Sequence, residues 1–413
     1  MNQNRSYGVF SLPVIVGALG YFVDIYDLLL FSIIRKQSLV DLGVTGEAIK
    51  NVGEDIISIQ MIGLLIGGVI WGIMGDKKGR LSVLFGSIIL YSLAYVANGM
   101  VSSIAGYKLI RFIAGVGLAG ELGAGITLVS ESLSKEKRGI GTALVAGLGL
   151  TGAVVAYFIS KEFDWRICYY VGGALGIILL LLRVSVYESG MFHEVKKKSV
   201  VRGNFLLFFT NKQRFKKYIF SILIGLPTWY VIGVLITFSD EFGKRFGIPV
   251  AIQPGKAVMF AYAAISIGDL LIGLVSQWLK SRKKSLYIFY GITAIFMVLF
   301  FLQRGSSTQM YFICAGLGFG TGFWAIFVTM AAEQFGTNLR ATAATTVPNM
   351  VRGALPLIII LFKALRSAMD YVEAGIITGI VVMIIGLCSA IFSEETFGKD
   401  LNYVEGDEVV PSP

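Results

Sequence analysis

The chain has 413 residues, of which 55% are hydrophobic and only 15% are charged, and its mean hydropathy is +0.74. Soluble domains carry about 25% charged residues, so this composition excludes a soluble enzyme and indicates a surface that faces lipid. The formal net charge of +10 is expected to reflect membrane topology and contact with anionic lipid, and no nucleic-acid partner is predicted.

The reactive side chains limit the chemistry further. Cys168, Cys314 and Cys388 lie far apart in apolar segments, without the close pairs of a zinc site or a thiol redox motif. The single histidine, His193, excludes a multi-histidine metal centre, and its polar surroundings exclude a Ser-His-Asp triad within the membrane. The sequence therefore predicts no enzymatic activity, no metal site and no cofactor.

Twelve apolar segments are long enough to cross a bilayer, since a transmembrane helix needs about 20 residues. The expected spans are 8–34, 54–75, 81–102, 104–132, 138–160, 165–183, 217–241, 255–279, 285–303, 308–334, 339–365 and 371–393. The predicted fold class is an all-α polytopic membrane protein, and the first segment is interpreted as a retained span and not as a signal peptide.

A polar, basic connector divides the spans into six and six. This predicts a first bundle over 1–186, a linker over 187–216 that lies on the lipid surface, a second bundle over 217–395 and a tail over 396–413. The segments on the side of the termini hold about twice as many Lys and Arg residues as the opposite segments. Both termini are therefore predicted to be cytoplasmic, in a monomeric, multi-pass protein of the cell membrane.

The two halves repeat each other. The segment that begins at Gly72 after the second span corresponds to the one that begins at Gly273 after the eighth, about 200 residues later. Glu131 and Arg138 correspond to Glu333 and Arg340 at a matching offset. Because each half has an even number of spans, the repeats are parallel, about an axis along the membrane normal.

Four segments resemble motifs of one family. Gly72-x-x-x-Asp76-x-x-Gly79-Arg80 is similar to the loop signature of the major facilitator superfamily, and Arg111 through Glu121 resembles its fourth-helix motif. Asp24-Ile-Tyr26-Asp27 and Tyr187-Glu188-Ser189-Gly190 resemble two sequence motifs of the metabolite:proton symporters. The family usually has Pro in place of Gly190. In the corresponding loop of the second half, which begins at Gly273, Gln277 stands where the loop signature has Asp.

The resemblance implies a fold of two parallel six-helix repeats and a secondary transporter that works by alternating access. Its substrate would be a small polar metabolite, with an organic acid as the leading class and a proton as the coupling ion. A sugar or polyol porter is the alternative, although the seventh span lacks the paired glutamines of sugar porters. A transporter-derived sensor is the alternative from another class.

Candidates for proton coupling lie in the first and fourth spans. By the resemblance, Asp27 with Arg111 is the first candidate and Asp24 the second. Charges within a bilayer cost several kcal/mol unless they have a partner or a water-filled cavity, so each is a functional hypothesis. Asp27 and Arg111 lie about 10 Å from the same membrane face by helical rise, which permits an ion pair. The alternative is that the pair only fixes helix packing.

Candidates for substrate contact lie mostly in the second half. Arg352 near the midplane could hold a carboxylate through two parallel hydrogen bonds, and Asn349 shares its helix face. The alternative is a static bridge from Arg352 to Asp269, the buried acid of the eighth span. Aromatic candidates, each of which could instead only pack or face lipid, are Tyr26, Trp229, Tyr230 and Trp324.

Charges at the helix ends near the termini are candidates for a gate that closes the inner side. These residues, with their signature glycines, are Gly72, Asp76, Gly79, Arg80, Glu131, Arg138, Glu333 and Arg340. They could instead be solvated loop charges that only set topology. Glu121 and Asp269 are predicted to be buried charges within spans.

Overall fold

The computed structural model describes residues 11–78, 80–121, 135–188 and 205–399, and its regular secondary structure there is helical. Helices α1 to α6 are Leu12–Asp41, Ala48–Lys78, Arg80–Gly99, Ile104–Leu118, Lys135–Glu162 and Trp165–Glu188. Helices α7 to α16 are Leu207–Thr210, Lys212–Tyr230, Ser239–Arg245, Pro254–Trp278, Arg282–Leu302, Ser307–Thr321, Trp324–Glu333, Thr337–Gly353, Leu355–Leu365 and Tyr371–Phe392. A π-helix, Val231–Ile236, continues α8.

Eleven helical spans in the described ranges are long and apolar enough to cross a membrane, and each coincides with a predicted span. The remaining predicted span, 104–132, is described only as far as Glu121 and includes α4. The first span ends at Asp41 and not near residue 34. Arg35, the first residue beyond the predicted span, is fully buried against protein, and the helix continues past it.

In the ranges that the structure describes, the regular α-helix is interrupted near the middle of four spans. The helical path of α4 breaks at Ala119 and Gly120, α8 changes to a π-helix after Tyr230, α12 and α13 are separated by Gly322 and Phe323, and α14 and α15 meet at Ala354. Breaks in a transmembrane helix free backbone groups, which is tolerated where these groups find partners or line a cavity. Such discontinuous helices are typical of substrate sites in secondary transporters.

Two glycines in the first half allow main chains to approach closely. A Cβ atom at Gly115 would lie 2.2 Å from the main-chain oxygen of Gln60, and one at Gly152 would lie 2.2 Å from that of Phe22. Any side chain at these positions would push α4 away from α2 or α5 away from α1, since backbone cannot yield as a flexible side chain can.

The two halves meet along two seams. Helix α10 packs against α1 and α5, and α14 and α15 pack against α2. The end of α1 at Asp41, the start of α2 near Glu54, helix α9 with Asp240, and Arg366 after α15 lie on one side of the protein, which we call the far face. The opposite side, where α1 begins and α16 ends, is called the terminal face.

Candidate substrate and coupling site

One buried ion pair joins the halves at their centre. Nη2 of Arg352 in α14 lies 3.6 Å from Oδ2 of Asp24 in α1, and both side chains are almost fully buried. Both residues were predicted from sequence, but in different roles and with different partners. Arg352 pairs with Asp24 and not with Asp269, so the alternative of a static bridge to Asp269 is wrong.

The pair leaves hydrogen-bonding capacity unused. Among the described residues, Nε and Nη1 of Arg352 have no hydrogen-bond partner, and neither carboxylate oxygen of Asp24 accepts a hydrogen bond. The guanidinium carbon of Arg352 lies 5.9 Å from the ring centroid of Trp324, the first residue of α13. A buried cation with unused donors beside an aromatic face suits a carboxylate attached to a ring.

Asn349 joins the halves one turn before Arg352. Its Nδ2 donates to the main-chain oxygens of Ala119, at 2.9 Å, and Thr345, at 3.2 Å. Ala119 lies at the break in α4, so Asn349 donates to a main-chain carbonyl at this break. Its Oδ1 has no partner among the described residues and is the part of the amide that remains for a ligand.

Arg111 is enclosed by aromatic rings. Its guanidinium carbon lies 5.4 to 5.8 Å from the ring centroids of Phe31, Tyr95 and Tyr169. Nη1 donates to the Tyr95 hydroxyl at 3.0 Å, and this hydroxyl donates to the main-chain oxygen of Asp27. No ion pair joins Arg111 to a carboxylate among the described residues, so Asp27 and Arg111 are linked only through Tyr95. Sequence reasoning missed Tyr95 and Tyr169, although a cation at this depth requires such partners.

Two of the aromatic residues predicted to contact substrate form hydrogen bonds within their own halves of the protein. The Tyr26 hydroxyl donates to the main-chain oxygen of Cys168 at 2.9 Å, and the Tyr230 hydroxyl donates to that of Gly375. Trp229 differs, because its Nε1 has no partner among the described residues. It lies one turn after Gly225, a position that contacts Val351 of α14, so its helix face is directed towards the helix that carries Arg352.

The other buried acids predicted from sequence have partners. Glu121 forms a two-bond ion pair with Arg183 of α6, with one N–O distance of 3.0 Å. Asp269 accepts a hydrogen bond from the main-chain nitrogen of Ala325 at 2.9 Å. Glu121 is thereby paired with a cation, and Asp269 is stabilised by the positive end of a helix.

The terminal face has a charge network in the second half. Arg282 lies 3.1 Å from Glu333, which also accepts a hydrogen bond from Thr396 at 2.7 Å. Burial raises the pKa of nearby Glu395, but hydrogen bonds from the Ser281 hydroxyl and from backbone amides outweigh it, so this pKa lies below its usual value.

The described structure covers part of the predicted gate. Arg282 follows Arg80 by about 200 residues, which is the offset between the two repeats. The partner of Glu333 therefore comes from the second-half loop that corresponds to the loop with Arg80. Arg340 lies in α14, and a Cβ at Gly72 would lie 3.6 Å from Thr346. Outside the described side chains lie Asp76, Gly79, Arg80, Glu131 and Arg138.

Ion pairs between the halves close the far face. Glu54 of α2 forms a two-bond pair with Arg366, and Asp55 lies 2.7 Å from Lys363 of α15. We call these four residues the far-face cluster. A further pair joins Arg35 of α1 to Asp240 of α9 at 2.8 Å.

Sequence reasoning missed the far-face cluster. The only signal was the presence of Lys363 and Arg366 on the side where basic residues are scarce. Their acidic partners lie about 310 residues away in the chain, so no local pattern connects them.

Broken helices and unsatisfied buried donors at the seam between two helical halves are typical of polytopic membrane transporters. A profile described as Major Facilitator Superfamily matches residues 17–359, and the chain belongs to this family. The family confirms the all-α polytopic fold and the prediction that the chain is a transporter and not an enzyme.

Similar proteins are named as transporters of small molecules. The chain is 26% identical to the niacin transporter NiaP of Acinetobacter baylyi, covering 97% of this chain and 98% of the relative. It is 27% identical to the 3-(3-hydroxy-phenyl)propionate transporter of Escherichia coli strain K12, covering 79% and 81%. A D-xylose-proton symporter structure matches with a TM-score of 0.68 at 15% identity, covering 94% and 99%, and shows the shared fold. The chain is thus a multi-pass membrane transporter of the major facilitator superfamily.

Proposed function

We propose that this protein transports small organic carboxylates together with protons, by alternating access, in the cell membrane with both termini cytoplasmic. The observation that carries the proposal is Arg352, a buried guanidinium with two unused nitrogens beside Trp324. Niacin and 3-(3-hydroxyphenyl)propionate, named for two relatives, are aromatic carboxylic acids. Their chemistry matches a site with one cation and aromatic walls.

The geometry supports an exchange of carboxylates at Arg352. A substrate carboxylate can accept two parallel hydrogen bonds from the guanidinium, with its ring against Trp324 and Trp229. Asp24 already lies beside this guanidinium, so the substrate competes with it. Two carboxylates near one buried cation leave an unbalanced negative charge, which is costly in low dielectric.

Uptake of a proton by Asp24 removes this excess charge, so one monocarboxylate would enter with one proton and no net charge. The charged and titratable groups close to Asp24 on neighbouring helices are Arg352, Glu121, Tyr91 and Tyr262, and Asp269 lies close to Tyr21 of the same helix as Asp24. Glu121 is already paired with Arg183, and Asp269 with a helix end. Asp27, linked to Arg111 through Tyr95, is the second candidate for the proton.

Ligand stabilisation of the purified protein tests the substrate class. We expect nicotinate to raise the unfolding midpoint in detergent, and nicotinamide and D-xylose at equal concentration to leave it unchanged. At ten times Kd the stabilisation is about 1.4 kcal/mol, which is readily measured. Nicotinamide is the matched control because it keeps the ring and lacks the charge. Stabilisation by D-xylose alone would instead assign the protein to the sugar porters.

Cross-linking of the far-face cluster tests alternating access. In a background with the exposed Cys388 replaced by serine, Glu54→Cys and Arg366→Cys are joined by a short bifunctional thiol reagent. We expect transport to fall at least about ten-fold, because this face must open in each cycle.

The matched control pair is Asp41→Cys and Arg166→Cys, which also form an ion pair at the far face but lie in the same half. Its cross-link should leave transport unchanged. Full transport by the cross-linked Glu54–Arg366 pair would show that the halves do not separate there.

A further inference from the structure

The break between α12 and α13 leaves helix-end groups in the middle of a span. Helix α12 ends at Thr321 and α13 begins at Trp324, so the first amides of α13 have no partner within their own helix. Phe323, the residue at the cap position, supplies no side-chain hydrogen bond. Amides at this depth need an acceptor from elsewhere.

Asp269 of α10 supplies this acceptor. Its Oδ1 accepts from the main-chain nitrogen of Ala325, the second residue of α13, at 2.9 Å. The side chain is buried, and no Lys or Arg in the described part of the chain lies within ion-pair distance of it. The positive end of α13 therefore takes the place of a counterion.

The close approach of two glycines makes this contact possible. A Cβ at Gly322 would lie 2.7 Å from Cα of Gly268, the residue before Asp269. The main chains of α10 and the break are therefore in direct contact, and a short carboxylate on the next residue reaches the exposed amides. A longer side chain at position 269 would overshoot them.

Trp324 is the first residue of the capped helix, and its ring lies beside Arg352. We infer that Asp269 is a positioning residue, which holds Trp324 against Arg352 and thereby gives the site its preference for carboxylates that carry a flat ring. This inference rests on the proposed function, because it concerns the same Arg352 site. It assigns Asp269 no part in carrying protons.

Three variants separate positioning from proton transfer. Asp269→Asn keeps an acceptor oxygen at the same reach but cannot titrate, Asp269→Glu keeps a titratable carboxyl but moves it by one methylene, and Trp324→Leu removes the ring. The probes are nicotinate, which is flat, and cyclohexanecarboxylate, which is puckered. Affinity is measured by ligand-induced stabilisation and KM by uptake.

We expect the wild type and Asp269→Asn to prefer nicotinate, with Kd values within about two-fold of each other. Asp269→Glu and Trp324→Leu should each weaken nicotinate about ten-fold and change cyclohexanecarboxylate less than about two-fold. The Asp269→Glu/Trp324→Leu double variant should lose little more nicotinate affinity than Trp324→Leu alone, because both changes remove the same contact between the Trp324 ring and the substrate.

Two results would overturn the inference while leaving the proposed function intact. One is an equal loss for both acids in Asp269→Glu. The other is normal behaviour of Asp269→Glu with loss of pH-driven accumulation in Asp269→Asn, which would identify a proton carrier. If the wild type binds neither acid, the proposed function fails and this inference fails with it.

Discussion

Replacement of Arg352 by alanine is expected to weaken nicotinate binding about 100-fold and to reduce its uptake to background. The change removes two hydrogen bonds to a charged group, worth together about 3 kcal/mol, which corresponds to about 100-fold in Kd. Arg352→Lys should lose about ten-fold, since an ammonium keeps the charge but cannot make two parallel bonds. The variant should still fold, because Asp24, left without its partner, can bind a proton and lose its charge.

Ligand-induced stabilisation of each purified variant measures this effect without requiring transport. Arg304→Ala is the matched control, since Arg304 is an exposed arginine of the far face that donates only to main-chain oxygens among the described residues. It should bind nicotinate as the wild type does. Unchanged nicotinate affinity in Arg352→Ala would mean that Arg352 only braces the two halves.

Asp24→Asn is expected to abolish pH-driven accumulation while nicotinate exchange across the membrane continues. Asparagine occupies the same volume but cannot take up a proton, so the loaded carrier can cross in either direction without coupling. A gradient of one pH unit is worth about 1.4 kcal/mol, which supports about ten-fold accumulation per proton in the wild type. In the variant, the ratio of internal to external nicotinate should be about one. Its affinity for nicotinate should not fall, because the competitor for Arg352 has lost its charge.

Proteoliposomes with an imposed pH gradient allow accumulation and exchange to be measured on one preparation. Asp27→Asn is the informative comparison, because Asp27 lies one turn away and is linked to Arg111 through Tyr95. If accumulation fails in Asp27→Asn and persists in Asp24→Asn, the coupling proton belongs to Asp27, as the family resemblance implies. Loss of both exchange and binding in Asp24→Asn would contradict the carboxylate exchange that we propose.

The helix breaks and the buried arginines show which features of the site can be predicted from local sequence patterns. The break after Thr321 is followed by Gly322, but glycines are frequent throughout these spans, and most of them lie within continuous helices. Arg352 was recognised as a candidate substrate contact by its depth. Its partner was not recognised, because Asp24 lies over 300 residues earlier and has no spacing in common with it.

The sequence by itself determined the spans, the internal repeat and the family, because hydropathy over about 20 residues and short loop motifs are properties of contiguous chain. Only the tertiary structure decided which charges meet. Asp24 pairs with Arg352, Glu54 with Arg366, and Asp269 caps α13. These contacts join segments far apart in the chain and depend on how the two halves pack. A charged residue within an apolar span indicates that a partner is required, but the packing of the helices determines which residue is that partner.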